Sequence, residues 1–198
     1  MKRLISALSL ISTVTMFTSC QKEDSNPTPV DINGIWAFVS MEADTKAANE
    51  FYDGTGNQKT VTTSNYITEN NTGIVTINAS TMSTSDFSYS VNTTSKSDYY
   101  LNGVLQNTFS MPFNFDCPVS NSTSTYKTIG ADSIYFDSGN IFMNGASQQT
   151  VPCGAKLSRE GNLLYMNITS SEISTQVVSG ATVKIEANVT AKVKLQRQ

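Results

Sequence analysis

From Val183 to Leu195 every second residue is apolar: Val183, Ile185, Ala187, Val189, Ala191, Val193, Leu195. The residues between them, from Lys184 to Gln196, are mostly polar or charged. A period of two sends the two sets to opposite faces of a strand. At about 3.3 Å per residue the run reaches roughly 45 Å, so it should coil or bend, as strands of closed or strongly twisted sheets do. Shorter runs repeat the pattern. Phe87, Tyr89 and Val91 alternate with polar residues, as do Phe109, Met111, Phe113 and Phe115, and Ile134 with Phe136. In Leu163–Ile168, Leu163 and Tyr165 oppose Leu164, Met166 and Ile168, which predicts a strand covered on both faces.

Turn-forming clusters separate the runs. They are Asp53-Gly54-Thr55-Gly56-Asn57, Asn70-Asn71-Thr72-Gly73, Asn102-Gly103, Ser138-Gly139-Asn140, Asn144-Gly145 and Glu160-Gly161-Asn162. Asn-Gly suits a tight hairpin in which both central residues take positive φ. Short connections pair sequential strands, which gives an all-β antiparallel meander closing into a barrel, with a β-sandwich as the alternative. One helical segment is predicted, a turn or two capped by Asp44 and running through Lys46-Ala47-Ala48-Asn49-Glu50.

The amino terminus reads as an address. Met1-Lys2-Arg3 is a positive start, and Leu4–Phe17 is apolar but too short to span a bilayer comfortably. Phe17-Thr18-Ser19-Cys20 looks like a bacterial lipoprotein cleavage site. This divides the chain into a signal peptide (1–19), a lipidated tether (20–33) carrying Pro27 and Pro29, and a β domain (34–198). Several acyl chains on Cys20 would make a lasting membrane anchor. Gln21-Lys22-Glu23-Asp24 resembles the surface-export signal of Bacteroidota lipoproteins, which implies an outer-membrane protein facing the cell exterior. Cys117 and Cys153, a pair in an exported chain, predict a disulfide closing a loop of 37 residues. Such a bridge stabilises a fold by about 4 kcal/mol in the chain-entropy picture.

Composition narrows the chemistry. Ser, Thr and Asn number 26, 25 and 18 among 198 residues, and there is no histidine. His-centred triads, His-ligated zinc and His bases are therefore excluded. The net charge is −3, and losing Lys2 and Arg3 leaves 11 basic against 16 acidic residues, or −5. An acidic chain without a basic stripe is a poor partner for nucleic acid.

Gly34-Ile35-Trp36 opens the β domain, and Trp36 is the chain's only tryptophan. Here the sequence resembles the lipocalin-like (calycin) families, closest to the lipocalin-like lipoproteins of Bacteroidota. The resemblance implies a barrel floored by Gly34 and Trp36, with Arg197 over the indole. It further implies a cavity for a small apolar or amphipathic ligand. Phe38, Tyr99, Phe109, Phe113 and Phe115 are the residues expected to line it.

Catalytic groups are sparse. Asp132 with Asp137, and Glu42 with Asp44, are the available carboxylate pairs, and as strand residues they read as facing water. Asp53, Thr55 and Asn57 alternate around glycines and fit a hairpin turn better than a calcium loop. The sequence therefore predicts neither an enzyme nor a metal site nor a cofactor. The function expected is a barrel that binds a small apolar or amphipathic ligand. The alternative is a surface interaction module with a solid core (an adhesin, a glycan contact or an accessory subunit of an outer-membrane complex) that works through its polar strand faces.

Overall fold

The computed structural model describes residues 29–143, 151–178 and 180–198. They form ten strands in one antiparallel sheet: β1 (Gly34–Tyr52), β2 (Asn57–Ile67), β3 (Glu69–Ile77), β4 (Thr81–Leu101), β5 (Val104–Thr125), β6 (Lys127–Ile129), β7 (Ser133–Phe136), β8 (Cys153–Glu160), β9 (Leu163–Val178) and β10 (Ala181–Arg197). The fold is the all-β meander that the alternation predicts.

Two pairs of strands act as single staves. β2 and β3 both run antiparallel to β1, broken only at Thr68. Thr68 repairs the break: its amide donates to the Met41 carbonyl, and its hydroxyl accepts the Met41 amide, both at 2.9 Å. β6 follows β5 after one residue, Tyr126. β5 pairs with β4, whereas β6 pairs with β7. The ladder thus runs from β4 through the β5–β6 stave to β7, β8, β9, β10, β1, and back through β2–β3 to β4. It returns on itself at one end, which we call the base.

The base is filled. Trp36, Met41, Ile77, Met82, Phe87, Ile134, Phe136, Leu164, Met166 and Leu195 have almost no solvent exposure. At roughly 1.5–3 kcal/mol for each large apolar side chain, this cluster is the main source of stability. Phe38, Phe87, Tyr89 and Phe142 form its aromatic centre, with Phe38 and Phe87 ring centroids 4.7 Å apart.

Away from the base β6, β7 and β8 end, and the other strands continue. β9 has its β8 partner only as far as Thr169. Beyond that level the order β9-β10-β1-β2-β4-β5 remains as a six-stranded extension, and no other described strand forms a second layer over it. Residues on both of its faces are solvent-exposed, among them Asp44, Lys46, Ala47 and Asn49 on β1. Its lateral edges, β5 and the end of β9, carry exposed Phe109, Met111 and Ile173. Pro112 and Pro118 lie on β5, an edge strand, where a missing N–H is tolerated.

The turn clusters fall mostly where predicted. Asn102 (φ 51°) and Gly103 (φ 79°) form the β4–β5 hairpin, and Gly161 (φ 57°) with Asn162 forms the β8–β9 turn. Asn144-Gly145 lies outside the described residues. Two expectations are corrected. Asn70–Gly73 joins no hairpin; it is a double register shift within β3, with Asn70 at φ 51° and Gly73 at φ 118°. Asp44–Glu50 is not helical but central to β1, bonded on one side to β10 and on the other to β2. Ladder bonds on both edges outweigh the modest helix preference of Lys-Ala-Ala.

Candidate functional site

Gly34, Trp36 and Arg197 meet at the base. Gly34 takes φ 137°, and a side chain there would meet the Arg197 guanidinium at 3.2 Å. Trp36 is fully buried, and its indole N–H donates to the Ile32 carbonyl at 2.9 Å. Arg197 lies over the ring, and Arg159, which the sequence did not single out, does the same at 5.7 Å from the centroid. Both guanidinium groups face Asp31, at 3.6 Å from Arg159 and 3.8 Å from Arg197. The segment entering the domain is thereby strapped across the base, with the Val30 amide bonded to the Ala131 carbonyl.

Above Trp36 the expected cavity is replaced by packed side chains. Phe38 is core, in contact with Phe87, Tyr89 and Phe142. Phe115 packs on the edge of that core against Tyr89. Phe113 meets Tyr66 but remains 36% exposed. Phe109 is exposed on β5, and the Tyr99 hydroxyl donates to the Gln58 side-chain oxygen at 3.0 Å. The five residues are therefore spread from the core to the open extension. They alternate correctly along their strands, but the wall that would enclose them stops at β6–β8.

The disulfide is also corrected. Cys117 and Cys153 are free thiols, both buried in the core. Cys117 shares its face of the sheet with Tyr89, its register partner, while the Cys153 sulfur receives the Asn140 side-chain amide at 3.5 Å. Burial pushes both thiols above their ordinary pKa, which disfavours the reactive thiolate. Cys20 lies outside the described residues.

The carboxylates resolve as surface groups. Asp132 pairs with Lys156 at 3.4 Å, and Asp137 with Lys127 at 2.5 Å. In the β1–β2 loop a single Asp53 oxygen accepts the Thr55 hydroxyl (2.6 Å), the Thr55 amide (2.9 Å) and the Gly56 amide (3.1 Å). These bonds, the Thr55 hydroxyl foremost, hold its carboxyl down at about 2. They are the bonds of a turn. Among the described residues no cluster of three potential metal ligands occurs.

A hollow of about 490 Å³ does exist, on the outer face of the extension. Register explains its lining. Asn188 on β10 lies beside Lys46 on β1, Lys46 beside Thr63 on β2, and Thr63 beside Lys96 on β4. One step toward the base, Thr190 lies beside Asp44, and Asp44 beside Asn65. Thr94 completes the second row, and Thr45 and Ser64 contribute to the floor. No aromatic or aliphatic residue lines it. Lys96 is paired with Asp98 at 3.2 Å, and the Thr108 hydroxyl and Lys96 hold the Asp98 carboxyl below the usual range. A second hollow, of about 320 Å³, lies at the base between Pro29–Asn33 and the β6–β7 region.

No protein-family model matches the chain, and no curated protein matches it. Among solved structures it is similar to Ail, the attachment invasion locus protein of Yersinia pestis, at 8% identity. That match covers 82% of this chain and 99% of that one, with a TM-score of 0.20. It is also similar to the same protein in complex with the heparin analogue sucrose octasulfate, at 7% identity. There the coverage is 78% and 97%, and the TM-score 0.15. Scores this low carry no argument about the fold. The outer face speaks for itself: Asp44, Lys46, Lys59, Lys96, Lys184 and Glu186 project from the strands of the extension. Charge in that position is costly against lipid, so this face belongs in water.

Proposed function

We propose that this protein is a lipid-anchored outer-membrane lipoprotein of the cell exterior. Its role is that of an interaction module working through its polar extension rather than a container. One observation carries the reading. The base is filled by large side chains, while six strands beyond it continue as a single layer of described residues with solvent-exposed side chains on both faces. A chain that needed only stability would not extend strands so far past its core.

The anchor geometry agrees. Cys20 precedes the strapped base by about ten residues, and the hairpins at Asp53–Gly56 and Asn102–Gly103 close the opposite end. β1 alone, at about 3.3 Å per residue, carries the chain some 60 Å from base to tip. A lipid on Cys20 would leave the extension pointing away from the membrane. Cys20→Ala should release the protein from membranes, and persistence of membrane binding would sink the anchor. Protease added to intact cells should remove the domain if it faces outward.

A small-ligand role retains one supporting observation. Phe109, Met111 and Phe113 form an exposed apolar row on one face of β5, 36–45% accessible. Native mass spectrometry of the protein, extracted gently from its own membrane, separates the two readings. The module predicts a bare mass. A stoichiometric apolar adduct lost on denaturation would overturn it.

A further inference from the structure

The outer hollow has a chemistry specific enough to name its ligand class. We propose that it is a binding site for a short acidic saccharide, one whose rings carry a carboxylate. The inference rests on the interaction-module reading and deepens it.

Every residue of the lining is polar or charged, and Thr methyls and Lys stems supply apolar surface between their polar groups. A sugar ring, with its hydroxyl edges and C–H faces, matches that mixture better than a purely apolar ligand does. The lining's polar groups work in both directions. Asp44 only accepts hydrogen bonds, Lys46 only donates, and Thr63, Asn65 and Asn188 do both. An inorganic anion, which only accepts, would leave Asp44 opposed. A metal ion would find one carboxylate. A polyhydroxylated ring meets all of these demands, because each hydroxyl both donates and accepts.

Charge adds the acidic group. The lining holds two lysines and one carboxylate. Lys96 already has Asp98. Lys46 has no carboxylate within 4.0 Å among the described residues, and its strand neighbours are Asn188 and Thr63. Its ammonium is the place for the ligand's carboxylate, with Asp44, two residues away on the same face, taking ring hydroxyls.

Shape fits a chain rather than one ring. Four neighbouring strands at about 4.8 Å spacing give the hollow a length of about 14 Å, and two residues of one strand a width of about 7 Å. A volume near 490 Å³ lies within the range of ligand sites.

The test is an NMR titration of the purified protein with trigalacturonate, with the uncharged galactose trimer, and with a tetra-aspartate peptide. Trigalacturonate should shift resonances of Asp44, Lys46, Asn65 and Asn188, and bind about fivefold more tightly than the neutral trimer. That factor is what one exposed ion pair supplies. Lys46→Ala should reduce trigalacturonate to the neutral trimer's affinity, Lys46→Arg should largely retain it, and Asn65→Ala should weaken both sugars alike. The proposal fails if the two trimers bind equally, if neither binds, if the shifts lie elsewhere, or if the aspartate peptide binds as tightly. The parent reading is judged separately. A bare native mass with no saccharide binding removes this assignment alone, whereas a trapped apolar ligand removes both.

Discussion

Arg197 holds its guanidinium carbon 5.4 Å from the centre of the Trp36 ring. The contact joins the last strand to the first, since Trp36 and Arg197 are also register partners across β1 and β10. With Arg159 on the same ring and Asp31 facing both cations, the indole is both core and hub. Trp36→Ala should cost about 3–5 kcal/mol, the range for emptying a large aromatic site. Arg197→Ala and Arg159→Ala should each cost about 0.5–1 kcal/mol. Urea unfolding followed by circular dichroism measures all three. Equal losses from Trp36 and Arg197 would contradict this ordering.

Thr68 offers a sharper test of backbone repair. Met41 is fully buried, and its amide is accepted by the Thr68 hydroxyl. Thr68→Val keeps the shape but leaves that donor buried without a partner, which costs about 1–3 kcal/mol. Thr68→Ser keeps the oxygen and should cost much less. The difference between the two variants isolates the bond.

Two glycines with positive φ should behave differently. A side chain on Gly73 would sit 2.7 Å from the Phe87 backbone, while none of the surrounding atoms comes within 4 Å at Gly103. Gly103→Ala should cost about 1–2 kcal/mol for its conformation alone. Gly73→Ala adds about 1–3 kcal/mol of crowding that backbone cannot relieve. Thermal unfolding of the pair reads the gap directly.

Stability should fall at both ends of the pH scale. Burial raises the pKa of Tyr66, Tyr89, Tyr126, Cys117 and Cys153 in the folded protein. Above about pH 8.5 the unfolded chain releases these protons first, so unfolding becomes progressively easier as pH rises. Hydrogen bonds and lysines lower Glu50, Asp53, Asp98, Asp132 and Glu186, with Asp53 down at about 2. Their contribution is complete above about pH 4.5 and disappears as pH falls toward 2. Urea midpoints from pH 2 to pH 11 should form a plateau between roughly 5 and 8. A midpoint still rising at pH 10 would contradict the buried tyrosines.

What could be read in the sequence was local. The alternation from Val183 to Leu195 is β10, and its apolar positions Ala191, Val193 and Leu195 are buried. Trp36 and Arg197, both named from the sequence, are in contact. What could not be read depends on neighbours. Lys46-Ala47-Ala48 carries a weak helix signal that two adjacent strands override. Phe109 and Phe113 have the spacing of a lined wall, but whether a wall faces them depends on where β6–β8 stop, and the shortness of those strands is invisible from β5. The outer hollow escaped for a similar reason. Asp44, Lys46, Asn65, Lys96 and Asn188 come from four strands, and only the register between strands sets them side by side. Reading Lys46–Glu50 as helix hid even the pairing of Lys46 with Thr63, and Asn188 lies still further along the chain.

The pairing of β1 with β10 also fixes a sequence of events. Among the described strands β1 precedes the other nine and β10 follows them, and fifteen register pairs tie the two together. Until β10 is available, one edge of β1 has no partner, and the base cannot close over Trp36. Contacts so distant along the chain slow folding. Removing Leu195–Gln198 would strip Trp36, Ala37 and Phe38 of their β10 partners and lift the Arg197 cation from the indole, so that proteases should enter at the base while the twelve pairs from Ser40 to Phe51 hold the rest of the seam together.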